Sequence, residues 1–193
     1  MADNPKVLAF AGSARRESYN KQIIGCAARA MESLGAAVQV IDLSDYPLPV
    51  FDEDLEAGQG RPDAAKQLTE LFCAHDGLVI SSPEYNSSLT ALLKNTIDWV
   101  SRPVSGEPPL VAFRGKVAGL CSASPGALGG LRGLVHLRAI LGNMGMYVIP
   151  DQVSVPKAHE AFDGNGSLKD AAIQSKIETM AQAMTETTRR LRA

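Results

Sequence analysis

No apolar run in this chain approaches the roughly twenty residues that a membrane-spanning helix needs. The opening residues, Met1-Ala2-Asp3-Asn4-Pro5-Lys6, do not read as a signal peptide. Cysteine is scarce: Cys26, Cys73 and Cys121 are far apart, odd in number and form no C-x-x-C. Set in apolar patterns, they are expected to be reduced core thiols rather than a disulfide framework. Excess charge of either sign is missing too. A net charge of −2 points to neither a nucleic-acid partner nor an anionic membrane. His75, His136 and His159 are scattered without metal-ligand spacing, so no metal is expected. No convincing catalytic triad is present. The expectation is a cytoplasmic protein with no membrane or nucleic-acid partner.

What the chain does have suits one domain over residues 1–193. Its 193 residues, 45% hydrophobic and 21% charged, are enough for a full core. Short apolar runs alternate with helical patterns throughout. Strands are expected at Val7–Ala11, Ala37–Ile41, Gly77–Ser82, Lys116–Ser122 and Met146–Ile149. Helices are expected at Tyr19–Leu34, Arg61–His75, Ser88–Val100, Gly130–Gly142 and Ser167–Leu191. Leu43–Gly60, with Pro47, Pro49, Gly58 and Gly60, reads as a long loop, and so does Arg102–Arg114. This alternation implies an α/β, flavodoxin-like fold: a five-stranded parallel sheet, order 2-1-3-4-5, with helices on both faces. Ligands of such sheets bind beyond the carboxyl ends of the strands, at the switch point between strands 1 and 3. The loops after strands 1, 3 and 4 should therefore carry the unusual residues, and they do.

The first of these, Gly12–Asn20, joins a strand to a helix and offers free backbone N–H groups at a helix N-terminus. It adds the hydroxyls of Ser13 and Ser18, the amide of Asn20 and the guanidinium groups of Arg15 and Arg16. That set suits a terminal phosphate monoester, although Ser and Asn are also ordinary helix caps and surface Arg is ordinary solvated charge. It is not a Walker A motif, not G-x-G-x-x-G and not G-x-S-x-G. The second loop places Tyr85 between Glu84 and Asn86, just after Pro83; a planar heteroaromatic ligand could pack on the ring. A turn whose Asn caps the next helix is the alternative. The third, Ser122–Gly130, has three glycines that let backbone approach a flat ligand, or that simply make a flexible turn.

Four motifs in this order resemble the NADPH-dependent FMN reductase family, which includes quinone, chromate and azo-dye reductases. They are Gly12-Ser13-x-Arg15-x-x-Ser18-x-Asn20, Pro83-Glu84-Tyr85-Asn86-x-Ser88, Leu93-Lys94-Asn95-Thr96-Ile97-Asp98-Trp99 and Ser124-Pro125-Gly126-x-x-Gly129-Gly130. The resemblance spans about residues 5 to 150. It departs at Thr90-Ala91, where the family has proline and glycine.

The resemblance implies non-covalent FMN. Ser13, Arg15, Ser18 and Asn20 would hold its phosphate, and Pro83, Glu84, Tyr85 and Asn86 would pack along the isoalloxazine. Ser124 and Gly126 would lie near the pyrimidine edge. It also implies ping-pong hydride transfer from NADPH or NADH to a quinone-like acceptor, in a homodimer or homotetramer whose flavin cleft a neighbouring subunit completes. The Leu93–Trp99 run would be structural, with Trp99 a packing anchor and Lys94 paired to Asp98. Apolar residues on the two long loops (Leu48, Val50, Phe51, Leu110, Val111, Phe113) read as an assembly surface without a place in a monomer's core. The rivals on the same fold are a flavodoxin-type electron carrier and a receiver-type signalling domain. The carrier is usually strongly acidic, and the receiver needs an acidic cluster where this chain has Gly-Ser-x-Arg.

Overall fold

The computed structural model describes residues 4–192; Met1, Ala2 and Asp3, part of the stretch read above for a signal peptide, lie outside the described residues. Five parallel strands form one sheet in the order β2-β1-β3-β4-β5, with β1 at Lys6–Ala11, β2 at Ala37–Asp42, β3 at Gly77–Ser81, β4 at Val117–Ala123 and β5 at Tyr147–Val155. The period of two in β1 divides the core. Val7, Ala9 and Ala11 face one apolar cluster, which holds α1 (Tyr19–Ser33) and α7 (Ala171–Arg192). Leu8 and Phe10 face the other, under α3 (Asp63–Ala74), α4 (Ala91–Val100) and α5 (Leu131–Asn143). The central strands β1, β3 and β4 are buried almost throughout, as strands covered on both faces must be. The outer strand β2 is largely exposed, for all its apolar content. No helix among the described residues is long and apolar enough to cross a membrane.

Several expected boundaries move. Leu43–Gly60 is not a plain loop: it contains a 3₁₀ turn at Leu43–Asp45 and a helix, α2, at Glu53–Gln59. Asp52 caps α2 by accepting from the N–H groups of Asp54 (2.8 Å) and Leu55 (3.3 Å), and three acids fill its first turn. β5 runs past Ile149, through Pro150, to Val155. Ala118 faces Val148 but Leu120 faces Gln152, so the outer strand bulges there. Arg138 braces the bulge by donating to the carbonyls of Val148 and Pro150 and to Gln152 Oε1. A short helix, α6 (Ala158–Ala161), was not foreseen, and α7 begins at Ala171 rather than Ser167 because Asp163 folds the preceding residues into a turn.

The apolar loop residues also correct an expectation. Phe113 is fully buried, and Leu48 and Leu110 pack against the α3–α4–α5 core. Phe51 sits edge-on to Trp99 at 5.0 Å. Its segment is clasped to α4, with Asn95 Nδ2 and Trp99 Nε1 both donating to the Pro49 carbonyl (2.8 Å) and Phe51 N–H donating to Asn95 Oδ1 (2.8 Å). Arg102 closes the clasp over the Phe51 ring and onto Glu56. Of the residues read as an assembly surface, Val50 alone stands out as strongly exposed, at 84%. Lys94 pairs with Asp98 and Trp99 is a buried anchor, as expected. All three cysteines are free thiols, but Cys73 is exposed, not core; burial pushes the Cys121 thiol up to about 12.

Thr90, which departs from the family pattern, has a double role. Its hydroxyl accepts from Leu93 N–H (3.1 Å), capping α4, and donates to the Gly12 carbonyl (2.7 Å). Proline could do neither. Gly12 itself lies so close to α4 that a Cβ would stand 2.9 Å from Leu93 Cβ. Thr90→Val keeps the shape and removes both bonds, so it is expected to cost about 1–3 kcal/mol. The check is urea unfolding: the midpoint falls with the slope unchanged. An unshifted midpoint would show that water replaces both bonds.

Candidate functional site

The carboxyl ends of β1, β3 and β4 bring the three unusual loops around one cleft of about 220 Å³. Eight of the ten candidate residues line it: Ser13, Arg15, Ser18, Asn20, Pro83, Glu84, Tyr85 and Ser124. Asn86 and Gly126 do not. Tyr19, Ala123 and Pro125, outside the candidate set, do.

The first loop leaves β1 when Gly12 N–H bonds Ser81 O (2.8 Å), and it ends when Ser18 Oγ accepts from Asn20 N–H (3.2 Å) to cap α1. Between these points the N–H groups of Ser13, Ala14, Arg16 and Tyr19 donate to no acceptor among the described residues. Ser13 Oγ accepts from Arg15 N–H and keeps its own proton to give. The Arg15 guanidinium donates to the Glu17 carbonyl and lies 5.3 Å from the Tyr19 ring centroid, with no carboxylate paired to it among the described residues. Free N–H groups at the start of a helix, hydroxyls and an unneutralised guanidinium form a donor set for a dianion.

Asn20 is 3% exposed, and its side chain is largely spent on the scaffold. Oδ1 accepts from Ser81 Oγ (2.8 Å) and Ala123 N–H (3.0 Å), while Nδ2 donates to the Ala123 carbonyl (2.9 Å). It ties the first loop to the ends of β3 and β4, and one amide hydrogen is left over.

The second loop is a tight hairpin. Tyr85 and Ser88 exchange both backbone bonds (3.0 and 3.1 Å) around Asn86 (φ 51°) and Ser87 (φ 65°), the left-handed pair that a type I′ turn requires. Asn86 therefore sits at the turn tip and caps nothing, since Thr90 caps α4. The hairpin holds Tyr85 outward, 59% exposed, at the cleft. Glu84 is in the cleft wall as well, but its carboxylate is engaged by α5. Its Oε2 accepts from the N–H groups of Arg132 (2.9 Å) and Gly133 (3.2 Å), and its Oε1 accepts from Arg132 Nε (2.8 Å). It is the cap of α5, whose own N-cap residue is Gly130. Burial pushes the Glu84 carboxyl up, but Arg132 and the two backbone N–H groups outweigh it and hold it below the usual range. The cleft thus has an acid in its wall whose charge is already neutralised.

In the third loop two glycines answer to protein rather than ligand. Gly129 (φ 61°) has the Val155–Pro156 backbone against it, and at Gly130 (φ 88°) a Cβ would fall 1.8 Å from Ser122 Oγ. Ser124 is held by Val155 O and Ala158 N–H.

Comparison with known proteins matches residues 5–160 to the family model described as NADPH-dependent FMN reductase. An NAD(P)H-dependent FMN reductase of Pseudomonas aeruginosa is 36% identical over 193 residues, 100% of both chains. A quinone reductase of Escherichia coli K12 is 34% identical over 147 residues, 73% of this chain and 71% of its own length. Among solved structures, the flavoenzyme NAD(P)H:(acceptor) oxidoreductase of Paracoccus denitrificans has the same fold, with TM-score 0.79 at 23% identity over 96% of this chain and 98% of that one.

The Glu84 cap carries a pH signature. A carboxyl held below its unfolded value stabilises the fold fully above the unfolded pKa, about 4.3, and loses that contribution as pH falls through the folded pKa. Glu84→Gln should therefore unfold at lower urea than wild type at neutral pH, and the gap should close as pH falls below about 4. A gap constant from pH 7 to 3 would mean the charge contributes nothing.

Proposed function

The chain belongs to the NADPH-dependent FMN reductase family, and on that premise we propose that it is an NAD(P)H-dependent oxidoreductase with non-covalent FMN in the cleft and a quinone-like acceptor as second substrate. The observation that carries this reading is the first loop: free N–H groups, the Ser13 hydroxyl and an Arg15 with no carboxylate, opposite an exposed tyrosine. That is the donor set of a phosphate site beside a surface for a flat ring. FMN, when bound, supplies the redox chemistry, taking hydride from NADPH or NADH and giving electrons to the acceptor in alternating half-reactions.

The protein's part is to bind and orient. Ser13, Ser18 and the loop N–H groups would hold the phosphate by hydrogen bonds and Arg15 would answer its charge, with the spare amide hydrogen of Asn20 beside them. Pro83 and Tyr85 on one side and Ser124 on the other would flank the ring. Glu84 acts through α5, keeping the Tyr85 hairpin in place while its own negative charge is answered by Arg132. No side-chain acid or base is required of the cleft, because hydride moves between ligands. A homodimer or homotetramer in the cytoplasm completes the reading. Leu131 and Val135, one helical turn apart and both exposed on α5, support α5 as the face for a second subunit.

The purified protein should be yellow and should oxidise NADPH or NADH with a quinone; a yellow protein that consumes neither nicotinamide is the electron carrier instead. Arg15→Ala should weaken FMN binding about ten- to hundredfold, the loss of one or two charge-assisted hydrogen bonds. Fluorescence titration reads this directly, and wild-type affinity would remove Arg15 from the site. Tyr85→Ala should keep the circular dichroism of wild type and lose FMN affinity or quinone turnover. For assembly, sedimentation equilibrium of the FMN-bound protein should give at least a dimer; a fully active monomer of 20.5 kDa would show that one subunit suffices.

A further inference from the structure

Arg15 is a long side chain on an exposed loop, and such a side chain has much rotamer freedom to lose on gripping an anion. Here it is already restrained. Its guanidinium lies over the Tyr19 ring, 5.3 Å from the centroid. The same ring stacks with Phe162, parallel to within 1° at 6.4 Å between centroids. Phe162 comes from far along the chain, after β5 and α6. Its own segment is anchored twice: Phe162 bridges Leu168, and Ala158 N–H donates to the Ser124 carbonyl (3.0 Å) in the cleft's third loop. Tyr19, Phe162 and Leu168 are partly buried against the α1–α7 core.

We infer that Tyr19 and Phe162 form an aromatic platform that positions Arg15 for the phosphate, so that the segment behind the cleft sets how strongly the site prefers a flavin bearing a 5′-phosphate over one without it. The inference rests on the FMN reading. Tyr19 and Phe162 are positioning residues. The first holds the cation from below without neutralising its charge, which a carboxylate in the same place would do. The second holds Tyr19 in its orientation at the start of α1, where backbone N–H groups of the same loop stand free. The Arg15 contribution then depends on a residue that need not touch the phosphate at all.

Riboflavin and FMN differ only in the phosphate, so the ratio of their affinities isolates what Arg15 and its platform supply. Both flavins are titrated against the full-length flavin-free chain, for wild type, Phe162→Ala, Phe162→Tyr, Arg15→Ala and the Arg15→Ala/Phe162→Ala double variant. Phe162→Ala is expected to lower the FMN-over-riboflavin preference about three- to tenfold, the scale of one lost cation–ring restraint, and Phe162→Tyr to restore it. The double variant should show no smaller preference than Arg15→Ala alone, because Phe162 acts through Arg15. Phe162→Leu keeps the apolar volume without the ring and should lose the preference as Phe162→Ala does, should the alanine variant not fold. An equal loss for both flavins, an unchanged ratio, or additive losses in the double variant overturns the inference while leaving the FMN reading intact. A wild-type chain that does not prefer FMN to riboflavin overturns both.

Discussion

One buried amide holds the cleft together. Each of the three loops leaves a different strand, and nothing in a parallel ladder fixes how the chain ends beyond it. Asn20 does so by accepting from Ser81 Oγ and Ala123 N–H and donating to the Ala123 carbonyl. The first helix is thereby pinned to β3 and β4 at the level where the strands stop. A polar side chain this deeply buried is tolerable only when its partners are in place. The same requirement makes the geometry of the loops specific, since any slip between strands leaves those groups unsatisfied.

Around that anchor each loop, besides its own internal bonds, is tied to another element. Thr90 at the start of α4 holds the Gly12 carbonyl, Glu84 holds the start of α5, and the β5–α6 connection holds Ser124. The wall of the cleft is therefore a ring of cross-braces in which polar residues serve the scaffold first. The N–H groups of the first loop, Arg15 and Tyr85 are left beside the cleft with fewer ties to the scaffold. Two adjacent left-handed residues, Asn86 and Ser87, cost backbone energy to display Tyr85, and the paired bonds of the hairpin offset it.

The sheet, its order and the convergence of the three loops were legible because they follow from local periodicity and from the switch-point rule. Eight of ten candidate residues line the cleft for that reason. What was not legible depends on contacts between distant positions. The helix at Glu53–Gln59 was hidden by flanking prolines and by Gly58 and Gly60, although Asp52 and the acids after it marked its start. The loop apolar residues looked homeless because their places depend on Asn95 and Trp99, more than forty positions away from Phe51 and Pro49. The pairing of Glu84 with Arg132 left no mark in the sequence because the two lie 48 residues apart. Tyr19 gave no signal, since its meaning comes from Phe162.

The clasp on Pro49 makes the chain its own optical probe. Trp99 is the only tryptophan in the sequence, is fully buried, and donates its indole N–H to the carbonyl of Pro49. All intrinsic indole emission therefore comes from one point, the seam between α4 and the 47–60 segment. Release of that segment would wet the indole and shift its emission to the red while the helices and sheet stayed folded. Ordinary fluorescence can thus follow this one seam in solution without a label, separately from global unfolding.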